Sequence, residues 1–463
     1  MTSPTDSESR DYSQNGLTPI IQRFPWLARW DSQVKEIVYG TAAAFGLKLL
    51  GTILGFAFNV LLARLLGAEG VGIYYLALTV TGIASVLGRL GLDKSLLRFS
   101  AANAAQGGWI KVAGVYRKGV CTSVAASVVV TALVLGNVSW IARVVFSEAA
   151  LAEPLALMAL GIIPMTLVSL HGALLKGLRK IGDGMLVESV GVPLIGLPLL
   201  VVLAPTFGTI GAVSANVLSH ALVLILGILL WRRATPELRG LAGDFDTRYL
   251  ITTSLPLFWI AVMDLILDRI DLILLGTWTS SDWVGIYGVA RRTSDLTVFI
   301  LIAVNSVLAP RFAALYAQRD YETLGTLARN TAKWMALLAS PILFVFVLMP
   351  SWVLGVFGQD FTAGANVLAI LAIGQFINVA TGSVGLLLIM TGHEKLMRDN
   401  IVACTVLSVA LYVVIVPRYG ASGAALVKSI TLAIMNLISV GLVYGKLSIL
   451  TLPIPQRLIS HDT

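Results

Sequence analysis

Charge is what this chain holds least of. Aspartate, glutamate, lysine and arginine make up 13% of its 463 residues, about half of what a water-soluble domain carries. Histidine occurs four times and cysteine twice. Cys121 and Cys404 each lie inside an apolar run, so they form neither a disulfide framework nor a metal pair. There is no histidine–glutamate metal motif, no Walker loop and no nucleophile elbow, so no enzymatic centre is expected and no cofactor is implied. The opening stretch from Met1 to Gly16 is polar and acid-rich, and no cleavable signal peptide is expected there.

Hydrophobic residues, by contrast, make up 57% of the chain, with a mean hydropathy of +0.86. Apolar runs of about 20 residues recur along it, the length that crosses a bilayer as a helix. The fold expected is an all-α integral membrane protein. Its net charge of +8 fits basic loops beside anionic lipid. A nucleic-acid partner would need a soluble basic domain, and none is visible.

Twelve spans are expected, at 40–64, 71–92, 112–136, 153–175, 184–204, 209–231, 249–276, 283–309, 331–355, 364–390, 398–416 and 420–445. Ahead of them, Ile20 to Ile37 reads either as an interfacial helix or as an ordered tail, with Pro25 limiting its upstream extent. Lysine and arginine concentrate in alternate loops. Lys94, Arg98 and Lys111 follow span 2, Lys176, Arg179 and Lys180 follow span 4, and Arg232, Arg233, Arg239 and Arg248 follow span 6. Arg311, Arg319 and Arg329 come after span 8, and Lys395 and Arg398 after span 10, whereas the opposite loops hold only Arg64, Arg143 and Arg418. Both termini are therefore expected in the cytoplasm.

The chain repeats itself. Val71-Gly72-Ile73-Tyr74 returns as Val284-Gly285-Ile286-Tyr287, and Arg98-Phe99 returns as Arg311-Phe312 at the same offset. Pro205-Thr206-Phe207-Gly208-Thr209-Ile210-Gly211-Ala212 matches Pro417-Arg418-Tyr419-Gly420-Ala421-Ser422-Gly423-Ala424 at an offset one position shorter. Each repeat holds six spans, an even number, so the repeats run parallel about an axis along the membrane normal. This divides the chain into a cytoplasmic tail (1–39), a first six-helix lobe (40–234), a linker (235–248), a second lobe (249–445) and a second tail (446–463). Such a plan places a central cavity between the lobes and allows alternating access by rocking.

Ionisable residues inside the spans mark the candidate site, because each costs on the order of 3 kcal/mol at bilayer depth. Asp264, Asp268 and Asp271 share one stripe of span 7, spread over roughly 10 Å. Arg291 and Arg292 lie at similar depth on span 8, either in a structural ion pair with Asp268 and Asp271 or in a charge network lining the cavity. Asp264 has no basic residue at an adjacent helical position and is the candidate proton or sodium site. Lys48, about 12 Å inside span 1, either lines the cavity or snorkels to the interface. Lys428 is either a cavity cation or the neutralising partner of Asp264. Gly46, Gly51 and Gly55 are spaced to admit a neighbouring helix, and Asn59, His171, Asn216, Asn305, Gln375, Asn378 and Asn436 to hydrogen-bond between helices.

The run Leu61-Leu62-Ala63-Arg64-Leu65-Leu66-Gly67, with Gly72, Tyr74 and Gly91-Leu92, resembles the first-lobe pattern of oligosaccharide flippases. Pro256, Asp271, Leu275-Gly276, Gly285 and Tyr287 resemble the second. These proteins are the polysaccharide-export branch of the multidrug/oligosaccharidyl-lipid/polysaccharide (MOP) exporter superfamily, and the resemblance covers residues 40 to 445. It implies a flippase in a bacterial or archaeal cytoplasmic membrane that carries a polyprenyl-diphosphate-linked oligosaccharide from the inner to the outer leaflet. A cationic cavity would suit the diphosphate, and Lys48, Arg291, Arg292 and Lys428 are the candidate residues. A proton or sodium ion, bound by Asp264, Asp268 or Asp271, is the candidate coupling ion, and a glycan polymerase the candidate partner. Related lipid II flippases have fourteen spans and an arginine cluster in early helices. This chain has twelve spans and one deep lysine, which points to an O-antigen, capsule or exopolysaccharide unit instead. Two other classes compete. A cation-coupled multidrug antiporter would need an acidic cavity, and a membrane glycan polymerase or glycosyltransferase would need a longer outer loop than residues 136–153 provide.

Overall fold

The computed structural model describes residues 32–451, with side chains from residue 44 onward. Most of the interfacial helix expected over 20–37 lies outside the described residues. Every regular element described is helical, as lipid demands, since a helix satisfies each backbone donor and acceptor within its own segment.

The described residues form twelve spans. Ser32–Arg89 holds spans 1 and 2, divided at Gly67. Trp109–Gly136 is span 3, and Ala149–Ala159 with Ile162–Gly177 forms span 4, bent by 46°. Ile181–Ala234 holds spans 5 and 6, divided at Gly208. Thr247–Trp278 and Ser281–Ala317 are spans 7 and 8, Tyr321–Leu348 is span 9 and Gln359–Met390 is span 10. Glu394–Leu447 holds spans 11 and 12, divided at Gly420.

The repeat read from the sequence is written into the backbone. Gly208 turns the chain at φ 54°, ψ −132° and Gly420 at φ 54°, ψ −135°, a conformation open to glycine and strained for other residues. The Val-Gly-Ile-Tyr segments pack against each other. A side chain at Gly72 would strike the backbone carbonyl of Ser281, and one at Gly285 would strike the carbonyl of Ala68. Ala68 and Ser281 are themselves equivalent positions of the two repeats, so the pseudo-two-fold axis runs through this contact between spans 2 and 8.

Some expected limits move. Span 9 starts ten residues before the expected 331, because Asp320 caps the helix by accepting from the Thr323 backbone N–H at 3.0 Å. Those hydrogen bonds from Thr323 also hold the exposed Asp320 carboxyl below its usual range. The same span ends at Leu348, and Pro350 begins a separate short helix, Pro350–Gly355. Span 10 is broken between Ala380 and Val384, with Gly382 at φ 82°. Of the three glycines in span 1, Gly51 meets the Ser189 carbonyl of span 5, whereas Gly46 and Gly55 face open space.

The lobes are pinned together at the end opposite the basic loops. There Arg64 Nε donates to the Val356 carbonyl at 2.8 Å, Ser281 donates to Glu148 at 2.9 Å, and Phe56 meets Phe357 edge-on at 5.4 Å. Toward the basic end one side is also held, by Ser254 donating to Ser95 at 2.8 Å. On the other side, no hydrogen bond or aromatic pair among the described residues joins the basic-end halves of spans 1 and 8.

Candidate functional site

Asp271 is the centre of the second-lobe cluster. Its carboxylate is fully buried and accepts from Arg291 at 3.0 Å and from the Tyr287 hydroxyl at 3.0 Å, with Lys428 Nζ at 3.5 Å. Lys428 also donates to the Leu267 carbonyl at 3.3 Å. The second fork of Arg291 reaches Asp268, which Arg269 contacts at 2.9 Å. In a low-dielectric interior these ions persist because each is paired and hydrogen-bonded. Asp295, one turn beyond Arg291, accepts from Gln375 of span 10 at 2.7 Å.

Exposure rises along span 7 toward the basic end, from 0% at the Asp271 side chain to 53% at Asp268, with Asp264 exposed beyond it. Asp264, Asp268 and Lys428 line a cavity of about 210 Å³ with Tyr412 and Thr431. Lys428 is bonded to Asp271, so the pairing with Asp264 left open by the sequence is not the one made.

Span 1 shows the same gradient. Lys48, Thr52, Gly55 and Asn59 follow helical spacing on one stripe, tied by Thr52 donating to the Lys48 carbonyl and Asn59 to the Gly55 carbonyl. Asn59 is buried at the lobe contact, and Lys48, about 16 Å away along the axis, is exposed. The lobes are thus packed together at the Gly72–Gly285 end, while exposure along both stripes rises toward the basic end.

The packed end is spanned by Arg292. Its guanidinium sits over the Tyr75 ring at 4.3 Å and donates to Asn59 Oδ1 at 2.8 Å, an oxygen that also accepts from Tyr75 at 2.8 Å. Of the two readings of Arg291 and Arg292, the ion pairing with Asp268 and Asp271 is made by Arg291 alone. Arg291 serves both aspartates and Arg292 crosses to the other lobe, because adjacent residues on a helix point about 100° apart.

The two lobes carry related frames with different charge. Tyr75 bonds Asn59, and Tyr287 bonds Asp271, each pair sixteen residues apart. Asn216, which donates to Tyr74 at 2.9 Å, occupies the place in the first repeat that Lys428 occupies in the second. The first lobe is thus amide and phenol where the second is carboxylate and ammonium. The roles of Tyr75 and Tyr287 were missed in the sequence. The same sixteen-residue spacing recurs in both lobes but is shifted by one position between the repeats, since Tyr287 is the counterpart of Tyr74 and not of Tyr75. Glu188 lies apart, paired with Lys176. Of the expected interhelical amides, Asn436 of span 12 donates to Asn378 of span 10 at 3.2 Å, whereas Asn305 makes no hydrogen bond among the described residues and its Oδ1 is buried without a partner. Among the described residues no group of histidine, cysteine, aspartate and glutamate could hold a metal ion.

The fold is one that solved transporters of the MOP superfamily share. The structure superposes on an inward-facing multidrug resistance MATE family transporter of that superfamily with a TM-score of 0.70, at 15% identity over 89% of this chain and 98% of that one. It matches the lipid II flippase MurJ, in its inward closed conformation, equally well, at 0.70 and 14% identity over 88% and 87% of the two chains. Residues 61–366 match the family described as polysaccharide biosynthesis protein, and the chain belongs to that family. It is similar to a probable low-salt glycan biosynthesis flippase, Agl15, of Haloferax volcanii, 25% identical over 165 residues. That alignment spans 35% of this chain and 35% of the relative.

Proposed function

We propose that the protein is a flippase that moves a polyprenyl-diphosphate-linked oligosaccharide repeat unit from the inner to the outer leaflet by alternating access. The observation that carries this reading is the pair Lys48 and Arg292. Lys48 lies on the span 1 stripe that carries Asn59, Arg292 of span 8 donates to Asn59, and neither base pairs with a carboxylate among the described residues. Arg291 and Lys428 are held by Asp271 and add positive potential without a free face. Among the mid-span ions of the cavity side, five bases (Lys48, Arg269, Arg291, Arg292 and Lys428) face four acids (Asp264, Asp268, Asp271 and Asp295). The balance favours an anionic head group over a cationic drug.

With both termini in the cytoplasm, the basic end is the inner leaflet side and an opening there is inward-facing. The unjoined halves of spans 1 and 8 give a polyprenyl tail a way to stay in lipid while its diphosphate enters. Lobes 40–234 and 249–445 would then rock about the linker at 235–248. Removing the gene should leave the lipid-linked repeat unit inaccessible to a membrane-impermeant glycan label. Unchanged labelling at the cell surface would overturn the proposal.

A cation-coupled antiporter is the second reading, favoured by Asp264 in its cavity of about 210 Å³. It predicts gradient-driven expulsion of a cationic dye that Asp264→Asn abolishes, with glycan export unaffected.

A further inference from the structure

A second basic site lies outside the inter-lobe cavity. A pocket of about 530 Å³ opens at the basic end of the first lobe, between span 3, the end of span 6 and the segment that follows it. Arg117, Arg232 and Arg239 line it together with Tyr116, Trp231 and Leu241. Among the described residues none of the three arginines pairs with a carboxylate. The nearest acids along the surrounding segment, Glu237, Asp244 and Asp246, do not line the pocket.

The back wall is rigid. Buried Trp231 stacks on Tyr116 at 4.9 Å and 20°. The Tyr116 hydroxyl lies 3.3 Å from His171 Nε2, and His171 Nδ1 is 2.8 Å from the Leu167 carbonyl. A carbonyl only accepts, so Nδ1 carries the hydrogen and Nε2 accepts from Tyr116. A lone histidine in a span thus acts by fixing the ring that backs the pocket. The front is made by the segment after span 6, where the Ala242 carbonyl accepts from Arg117 at 3.3 Å.

We propose that this pocket binds a phosphate group, supplied by an anionic lipid head group or by a soluble phosphate compound. Three forked guanidiniums offer more donors than one carboxylate can accept, whereas a phosphate presents several acceptor oxygens to them. The stacked indole and phenol form a rigid back wall beneath the guanidiniums, the Tyr116 hydroxyl being turned inward to His171. Arg117 and Arg232 belong to spans 3 and 6, and Arg239 to the segment joining span 6 to span 7. A bound phosphate therefore fastens that joining segment onto the first lobe. Its occupancy would bias the motion of the lobes without touching the inter-lobe cavity.

The full chain in detergent micelles, titrated with phosphatidylglycerol, phosphatidylcholine or inorganic phosphate and read by native mass spectrometry and melting temperature, tests this. Saturable binding of phosphatidylglycerol is expected, weakened about thirty-fold in R232Q/R239Q, at about five-fold per arginine near the membrane surface. R232K/R239K, which keeps the charge and loses the fork, should fall between. Retention of the lipid against excess inorganic phosphate identifies a head group as the source, and its displacement identifies a soluble phosphate. Both arginines are exposed, so the variants should melt like the parent without ligand. Absence of saturable binding by either probe, or equal binding by R232Q/R239Q and the parent, overturns the proposal.

Discussion

Arg292 of the second lobe covers the Tyr75 ring of the first at 4.3 Å while donating to Asn59, so one guanidinium ties both polar groups of the opposite lobe. The tie sits just below the contact where Gly72 and Gly285 each pack on the other repeat's backbone. A desolvated cation–π contact with a charge-assisted hydrogen bond contributes about 2 kcal/mol. Arg292→Gln should therefore raise the population open at the far end by up to about thirty-fold. Spin labels at Trp140 and Trp352, exposed positions near that end in different lobes, should report a longer distance, in a background with Cys121 and Cys404 replaced. An unchanged distance distribution would remove Arg292 from the closure.

Asp271 and Asp264 should separate structure from transport. Asp271→Asn leaves Arg291 and Lys428 short of their buried counter-charge, and breaking such a pair costs about 3–5 kcal/mol. A large fall in melting temperature and in yield is expected. Asp264 is exposed and has no ion-pair partner among the described residues. Asp264→Asn should change stability by no more than about 0.5 kcal/mol, and any loss it causes should appear in transport alone.

Lys48→Gln offers the converse test of the cavity. The side chain is exposed, so protein level should stay near the parent's. Glycan export should drop about ten-fold if the ammonium supplies a charge-assisted contact to the diphosphate. Equal losses of protein and export would mark Lys48 as a folding residue.

The duplicated hairpin glycines give a check on symmetry. Gly208→Ala and Gly420→Ala each force a side chain into the same left-handed conformation, at about 1 kcal/mol or more. A Cβ at Gly208 meets nothing within 4 Å, and one at Gly420 touches only Thr279 at 3.7 Å. The two losses in thermal stability should therefore be similar, since strain and not crowding sets them. A several-fold difference would show that packing dominates.

The twelve spans, the parallel repeat and the alternate basic loops were legible because each is a local property of the chain: apolar length, recurrence and charge count. The beginning of span 9 was not, since a cap at Asp320 extends the helix through polar residues that no hydropathy run includes. Gly46, Gly51 and Gly55 looked alike, yet only Gly51 meets a neighbour, because which face of span 1 packs is decided by span 5. The contact of Tyr75 with Arg292 and the arginine-lined pocket beside Trp231 join residues far apart in the chain, a pairing that no local pattern contains.

The three carboxylates of span 7 show where the boundary lies. Their spacing alone placed Asp264, Asp268 and Asp271 on one stripe and kept that stripe from lipid, because helical geometry and the cost of burying charge act on any sequence. Only the packed structure gave them different fates. Asp271 is sealed between Arg291, Lys428 and Tyr287, Asp268 is shared by two arginines, and Asp264 is left open to its cavity. Side chains from other elements, far apart in the chain, set the partner and the exposure of each carboxylate. Those are relations of distance that a one-dimensional pattern does not contain.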